Sequence, residues 1–243
     1  MRSRADAPPA WLWVRALALR GESLALDAEA SHHVARVWRA REEQALVLTD
    51  GLGGVAHAIV ESLRPGVVVR VESVEQRAAP RPLVVWCGAP EGDRGDWLVE
   101  KLAELGVTRL IPIDTSRASW RAAPTRLARW ERLTRAALEQ SRGAFRLAVS
   151  APCSLESALA SLPEGAARWL ADPEGRVAEL GAGVPLAGVV VAVGPAPGFD
   201  SDERSSLLAR GFMAMSLGRS RLRAETAAMV AAALVRAVEP EAS

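Results

Sequence analysis

The residue types and spacing that could bind a ligand lie near the C-terminus, in the segment 187–235. A run of aliphatic residues, Val189–Val193, leads into a Gly/Pro turn at 194–198 and then a short polar helix. A second strand, predicted at 212–217, leads into a loop with three arginines and an alanine-rich helix. Such strand–loop–helix units are typical of parallel sheets, which bind ligands at the carboxyl ends of their strands. The sequence therefore predicts a site in these two loops.

Three glycines in these loops could let the backbone approach a ligand closely. They are Gly194, Gly198 and Gly218, and none has a Cβ in the way. Taken alone, they are better explained as ordinary turn residues. Their place in the chain also differs from that of common nucleotide-binding folds, whose glycine-rich phosphate loop follows the first strand. The glycines by themselves do not identify a ligand.

The elements that must position these loops alternate along the second half of the chain. Since at least five strands alternate with helices, this half is predicted to be α/β with a parallel sheet. The continuous apolar run Val189–Val193 is typical of an interior strand covered on both faces. The pattern predicts strands at 83–87, 109–113 and 167–170, a turn at 172–175, and helices at 93–105, 124–140, 154–162 and 224–238.

The first part of the chain, from residue 11 to about 75, has short strands separated by glycine turns. One helix interrupts them, with Asp27 or Ser31 as its N-cap and Val34, Val37 and Trp38 on its inner face. This pattern predicts a small β-barrel. Because a proline-rich hinge follows at 77–82, we predict two domains, 11–76 and 83–243.

Several motifs together resemble a known family. The C-terminal ones are Gly194-Pro195-x-x-Gly198-Phe199, Ser216-Leu217-Gly218 and Leu222-Arg223-Ala224-Glu225-Thr226. Upstream lie DWLVEKLAELGV at 96–107, Glu139-Gln140-Ser141 and His32-His33-Val34-Ala35-Arg36-Val37. In this order they resemble the ribosomal RNA small subunit methyltransferase E family of the SPOUT class, whose members usually read GPEGGF, SLGxRILRTETA and HHLxRVLR.

The resemblance implies a fold and an activity. The fold is a C-terminal SPOUT-type α/β domain with a parallel sheet and a deep trefoil knot, preceded by a small PUA-like β-barrel that binds RNA. The activity is methylation of N3 of a uridine in 16S ribosomal RNA, with S-adenosylmethionine as cofactor and the small ribosomal subunit as partner. The resemblance further implies a homodimer whose site is completed by the partner subunit. No metal and no membrane are expected to take part.

The resemblance also implies roles for individual residues. The cofactor-binding residues would be Leu170, Asp172, Pro173, Val193, Gly194, Gly198, Met215, Ser216, Leu217, Gly218, Leu222 and Thr226. The catalytic candidates are Arg223, Glu225, Arg221 and Arg142. The residues predicted to bind RNA are Arg15, Arg36, Arg39, Arg117 and Arg121.

Arg223 is the best-matched catalytic candidate. N3 of uracil keeps its proton at neutral pH, so a fixed cation near the flanking carbonyl oxygens would stabilise the deprotonated base. Glu225 would accept a hydrogen bond from the cofactor or orient Arg223.

The chain departs from the family pattern in both C-terminal motifs. Ala196 and Pro197 replace the glutamate and glycine of GPEGGF, and Ser220 stands where the family has its first arginine. Two other functions therefore stay open. One is a ribosome-binding protein on a decayed methyltransferase scaffold, and the other is a knotted methyltransferase that acts on another nucleotide or on transfer RNA.

Composition narrows the remaining classes. The net charge is +1, yet eight arginines and two glutamates lie within 115–146, where they could form either a phosphate-binding patch or a solvated helix face. Cys87 and Cys153 fit neither a disulfide framework nor a zinc motif, and we expect both to be small buried residues. Without a long apolar run or a signal peptide, the sequence predicts a soluble cytoplasmic protein.

Overall fold

The computed structural model describes residues 8–120, 124–177 and 184–239. They form two compact units. The first comprises the chain up to Ala79 together with Leu138–Arg146, and the second comprises Pro80–Ala137 and the chain from Leu147 onward. The segment 138–146, which follows the hinge in sequence, thus groups with the first unit.

The first unit contains one five-stranded sheet. Its strand order is β1-β3-β4-β5-β2, and only the β1–β3 pair is parallel. Thirteen buried apolar residues, including Val34, Leu48 and Val69, form its main core. The strands are β1 (Ala10–Trp13), β2 (Ser23–Ala25), β3 (Ala45–Thr49), β4 (Gly54–Ser62) and β5 (Val68–Gln76).

The helix of this unit begins as predicted but ends differently. Asp27 is the N-cap of α1 (Ala28–His32), and its side chain accepts a hydrogen bond from the Ala30 N–H. The chain then widens into a π-helical turn, His33–Val37, in which the Trp38 N–H donates to the His33 carbonyl five residues back. Because the wider turn changes the direction of each side chain, Val34 is buried whereas Val37 is 58% exposed. The prediction for Val37 was wrong.

The second unit contains a seven-stranded sheet in which every pair is parallel, as predicted. The order is β12-β10-β11-β6-β7-β8, with β9 also paired to β7. The trefoil knot implied by the resemblance stays a prediction. The strands are β6 (Leu83–Gly88), β7 (Arg109–Asp114), β8 (Ala148–Val149), β9 (Cys153–Ser154), β10 (Ala167–Val177), β11 (Val189–Val193) and β12 (Met213–Ser216).

Helices cover both faces of this sheet. Alternate residues of β11 point to opposite faces: Val189, Val191 and Val193 join the core of α2, α3 and α6, and Val190 and Ala192 join that of α4 and α5. The helices are α2 (Arg94–Glu104), α3 (Pro124–Ser141), α4 (Leu155–Ala160), α5 (Ser201–Ala209) and α6 (Ala224–Ala237).

One element differs from the sequence prediction in the second unit. The predicted turn at 172–175 belongs to β10, which continues to Val177 with a register shift between Ala171 and Arg176. A local Asx hydrogen bond, Glu174 N–H to Asp172 Oδ1 at 2.9 Å, explains the turn signal in the sequence.

The apolar character of α6 is explained within the chain. Ala228, Ala231, Ala232 and Val235 are buried against the sheet and α2. The predicted homodimer therefore stays a prediction. Among the described residues, no helix has both the length and the apolar character needed to cross a membrane.

Candidate functional site

The loops at the carboxyl edge of the parallel sheet approach one another closely. A Cβ added to Gly88, at the end of β6, would lie 2.4 Å from the Pro195 backbone nitrogen. A Cβ on Gly175 would lie 2.4 Å from the Met215 backbone nitrogen. The segments that carry the predicted cofactor-binding residues therefore lie along this edge, because the parallel strands β10, β11 and β12 all end there.

Two glycines leave open space beside the backbone at this edge. Gly198 has φ +79° and Gly218 has φ +140°, conformations that disfavour any residue with a side chain. A Cβ at either position would meet no heavy atom within 4 Å. A ligand beside either glycine could therefore contact the main chain directly.

Hydrogen bonds connect the Gly/Pro turn to its neighbours. The Arg221 Nη2 donates to the Ala196 carbonyl at 3.0 Å, which joins the 217–223 loop to the turn at 194–198. The Arg117 Nη1 donates to the Pro197 carbonyl at 2.9 Å from the loop after β7. Arg117 was predicted to bind RNA and Arg221 to act in catalysis. In the structure, the guanidinium groups of both contact this turn.

A cleft of about 350 Å³ lies where α2 and α6 begin. It is lined by Arg94, Trp97, Arg223, Glu225 and Thr226. Three of these, Arg223, Glu225 and Thr226, were predicted from the sequence. Arg223 is exposed, and the Trp97 indole is 43% exposed, so an aromatic face and a guanidinium are both accessible to a ligand.

The carboxylate of this cleft has one ion-pair partner in the structure. Glu225 is 4% exposed, and its Oε1 accepts a hydrogen bond from the Arg94 Nη1 at 2.9 Å. The resemblance implied that Glu225 would accept a hydrogen bond from the cofactor or orient Arg223, and both roles stay predictions. The contact in the structure is with Arg94. A buried carboxylate is costly unless it is paired, so Arg94 stabilises the charge of Glu225.

The thiol of Cys87, in β6, is fully buried. Burial, together with the negative charge of Glu225, raises the pKa of the Cys87 thiol to about 12. The thiol therefore stays protonated at neutral pH, and it packs as a small apolar residue, as predicted. Cys153 is only half-buried.

The remaining predicted cofactor residues differ in how much of each side chain a ligand could reach. Leu170 and Val193 are buried in the two cores, so only their main chain is available to a ligand. Asp172 accepts a hydrogen bond from the Arg204 Nε at 2.7 Å, which commits its carboxylate to an ion pair. Pro173 is exposed, and the following residues are half-buried at the same edge: Met215, Ser216, Leu217 and Leu222.

Other predicted residues lie in the first unit or outside the described chain. Arg15, Arg36 and Arg39 are exposed in the first unit, and their RNA-binding role stays a prediction. Arg142 is exposed just after α3 with φ +56°, also in the first unit, and its catalytic role stays a prediction. Arg121 lies outside the described residues.

Sequence reasoning missed Arg94 and Trp97. Trp97 belongs to a segment recognised only as part of the family match, and Arg94 begins the helix just before it. Arg94 and its ion-pair partner Glu225 are 131 residues apart in the sequence. No local sequence pattern indicates that Arg94 and Glu225 form a pair.

Three arginines of α3, Arg126, Arg129 and Arg132, lie along a larger groove of about 1080 Å³ that α2 also lines. Arg129 is ion-paired with Asp96 at 2.5 Å, and Arg126 lies over the Trp130 ring at 5.9 Å from its centroid. These two therefore have structural contacts. Among the described residues, no group of three or more His, Cys, Asp or Glu side chains is placed to hold a metal ion.

Two known domain families match this chain. Residues 77–236 match an RNA methyltransferase domain. Residues 26–72 match an RNA methyltransferase PUA domain. The PUA match ends before the predicted hinge at 77–82, and the methyltransferase match begins at its first residue.

Individual relatives are similar over most of the chain. A ribosomal RNA small subunit methyltransferase E from Synechocystis is 32% identical over 85% of this chain and 70% of its own length. The protein of that name from Mycobacterium bovis is 30% identical, over 87% of this chain and 85% of its own. A crystal structure of the Neisseria gonorrhoeae protein of that name, bound to S-adenosylmethionine, superposes with a TM-score of 0.86 at 27% identity, covering 96% of this chain and 98% of that one.

Proposed function

The chain belongs to the ribosomal RNA small subunit methyltransferase E family, and on that premise we propose that it methylates N3 of a uridine in 16S ribosomal RNA. It is an S-adenosylmethionine-dependent ribosomal RNA methyltransferase. The proposal adds the reacting atom and the target RNA to that activity. Its main support is the cleft in which Arg223 and Glu225 lie beside an accessible tryptophan.

The residues at the carboxyl edge fit the cofactor. Gly198 and Gly218 offer main chain with open space beside it, and Leu217 and Leu222 are half-buried apolar side chains near them in the chain. Close main-chain contacts and an apolar slot are what an adenosine-bearing ligand requires. When bound, S-adenosylmethionine supplies an electrophilic methyl group.

Arg223 has the chemistry that this reaction needs from the protein. Removing the N3 proton of uracil leaves a negative charge spread over the flanking carbonyl oxygens. A guanidinium beside those oxygens stabilises the anion more than the neutral base, and so lowers the barrier. Arg94 lines the same cleft as a second cation, but its Nη1 is engaged by Glu225. Arg223 therefore takes the main electrostatic role, and Arg94 a supporting one.

Trp97 gives the cleft a surface for a base. An exposed indole can stack on a nucleobase, and a base must leave its helix before N3 becomes accessible. The target uridine is therefore proposed to be unpaired or flipped out. Arg15, Arg36 and Arg39 in the first unit would contact phosphates and position the RNA without reading its sequence.

The homodimer is also a proposal, and it comes from the family resemblance; the cytoplasmic location stays a prediction from the sequence. Light scattering at micromolar concentration tests the first. A monomer under those conditions would remove it.

The Arg223→Ala variant tests the catalytic proposal. Single-turnover methylation of small ribosomal subunits at saturating S-adenosylmethionine should be about 100-fold slower, the usual effect of losing a transition-state donor. Arg223→Lys, which keeps the charge, should retain part of the rate. The matched control is Arg109→Ala, an exposed arginine at the amino end of β7.

Two results would contradict the proposal. One is normal single-turnover methylation by Arg223→Ala. The other is a protein-dependent methyl group at an atom other than uridine N3. It would be present in ribosomal RNA from cells that contain the protein and absent from the RNA of cells that lack it.

A further inference from the structure

The turn at 194–198 departs from the family pattern at Ala196 and Pro197, and both of these residues accept hydrogen bonds from other loops. Both Ala196 and Pro197 present their carbonyl oxygens to arginines. Arg221 donates to the first at 3.0 Å and Arg117 to the second at 2.9 Å. The two arginines lie in different loops, so two separate segments restrain the turn.

The composition of the turn explains why it needs such contacts. Pro195 and Pro197 have no N–H, so the turn has few donors with which to stabilise itself. One internal backbone hydrogen bond closes it, from the Gly198 N–H to the Pro195 carbonyl at 2.7 Å. The family's glutamate, which could accept hydrogen bonds here, is absent, since Ala196 has only a methyl group. External donors to the carbonyls therefore take over part of its fixation.

The loop after β7 also forms hydrogen bonds with the segment that follows the turn at 194–198. The Ser116 Oγ donates to Asp200 Oδ2 at 2.6 Å, and the Ser116 N–H donates to Glu203 Oε1 at 2.8 Å. Asp200 and Glu203 form the capping box that begins α5. Together with the Arg117 contact, three hydrogen bonds join the two segments.

The loop that carries Ser116 and Arg117 is itself anchored. Trp120 is 4% exposed, and its Nε1–H donates to the Cys87 carbonyl at 2.9 Å. The Trp120 N–H donates to Asp114 Oδ1 at 2.7 Å. Arg117 therefore extends from a fixed base, and its guanidinium can restrain the turn.

We propose that Arg117 and Arg221 are positioning residues that hold the turn at 194–198 in the conformation that binds the methyl donor. This rests on the proposed function, in which that turn contacts S-adenosylmethionine. Each contact is exposed and contributes little to global stability. Its effect is on binding, because a turn that is already ordered loses less conformational entropy when the ligand arrives.

Calorimetric titration with S-adenosylmethionine measures this effect directly. Arg117→Ala should weaken the affinity about fivefold, and Arg221→Ala by a similar factor, since each loses one charge-assisted hydrogen bond in a solvated position. Arg117→Lys should recover part of the loss because it keeps a cationic donor. Arg109→Ala, at the opposite end of β7, is the matched control and should bind as the wild type does.

Two further measurements separate positioning from other roles. At saturating S-adenosylmethionine, Arg117→Ala should keep kcat within about twofold and change KM for the cofactor but not for the RNA. Its melting temperature should stay close to that of the wild type. A double variant should weaken binding by less than the product of the two single effects, because both arginines restrain one turn.

The outcomes are distinguishable. If the wild type gives no heat of binding, the proposed function fails, and the positioning role fails with it. If the wild type binds and Arg117→Ala binds equally well, only the positioning role is overturned. A raised KM for RNA with unchanged cofactor affinity would overturn it too, and would support the RNA contact predicted for Arg117 from the sequence.

Discussion

Replacing Arg94 with alanine would leave a buried carboxylate without its ion-pair partner. The Glu225 side chain is 5% exposed, and the Arg94 side chain is 40% exposed. The pair therefore has one buried member and one that reaches solvent. The variant removes the solvent-facing member and leaves the charge of Glu225 in place.

The expected loss of stability follows from this geometry. Breaking a fully buried pair by removing one partner costs about 3–5 kcal/mol. Because the vacated space opens to solvent, water can partly replace the guanidinium, and we expect a loss of about 2 kcal/mol. Glu225→Gln removes the charge and keeps an acceptor, so it should cost less. The double variant should be close to Glu225→Gln alone.

Denaturant unfolding of the four proteins, with a probe of the second unit, measures the coupling. The pair should show a coupling free energy of at least about 1 kcal/mol. Arg94→Lys is the control that keeps a cation within reach. The methylation rate of Arg94→Ala should fall as well, since Arg94 lines the cleft.

Additive effects of Arg94→Ala and Glu225→Gln would refute this reasoning. They would mean that solvent stabilises Glu225 without Arg94. A stability of Arg94→Ala equal to that of the wild type would lead to the same conclusion.

Two other variants test different parts of the chain. Gly88→Ala places a Cβ 2.4 Å from the Pro195 nitrogen and should displace the turn at 194–198, so that the affinity for S-adenosylmethionine measured by calorimetry falls about tenfold or more. The control is Gly66→Ala, where a Cβ meets nothing within 4 Å and the affinity should not change. Equal affinities of the two variants would contradict the close approach. In the first unit, burial raises the pKa of the Glu139 carboxyl, although the hydrogen bond from the Trp13 N–H opposes the shift. Because the folded state then holds its proton to higher pH than the unfolded state, Glu139 reduces stability as pH rises through its folded pKa. Glu139→Gln should therefore gain stability relative to the wild type as the pH rises above the ordinary pKa range of a glutamate carboxyl, and the exposed Glu42→Gln is the control. A stability difference that does not change with pH would contradict the prediction.

Local patterns in the sequence predicted the elements around the site. Val189–Val193 is a strand with the predicted bounds, and α6 begins at the predicted Ala224. These succeed because an apolar run or a helical repeat depends on neighbouring residues alone. Gly198 and Gly218 do have the backbone conformations that require glycine.

Local patterns failed where the backbone departs from regular geometry. The π-helical turn His33–Val37 exposes Val37, and β10 runs through the predicted turn at 172–175. Neither follows from residue preferences, because each is decided by how the segment packs against its own unit.

The sequence by itself determined that glycine turns and arginines follow the last parallel strands, and the family motifs gave them a function. Only the tertiary structure decided which of these residues meet. The order β12-β10-β11-β6-β7 places Gly88 against Pro195 and Arg117 against Pro197, 80 residues apart in the chain. Residue type and spacing set local dihedral preferences, whereas strand order and burial fix contacts between distant segments, and the pairing of Arg94 with Glu225 depends on those contacts.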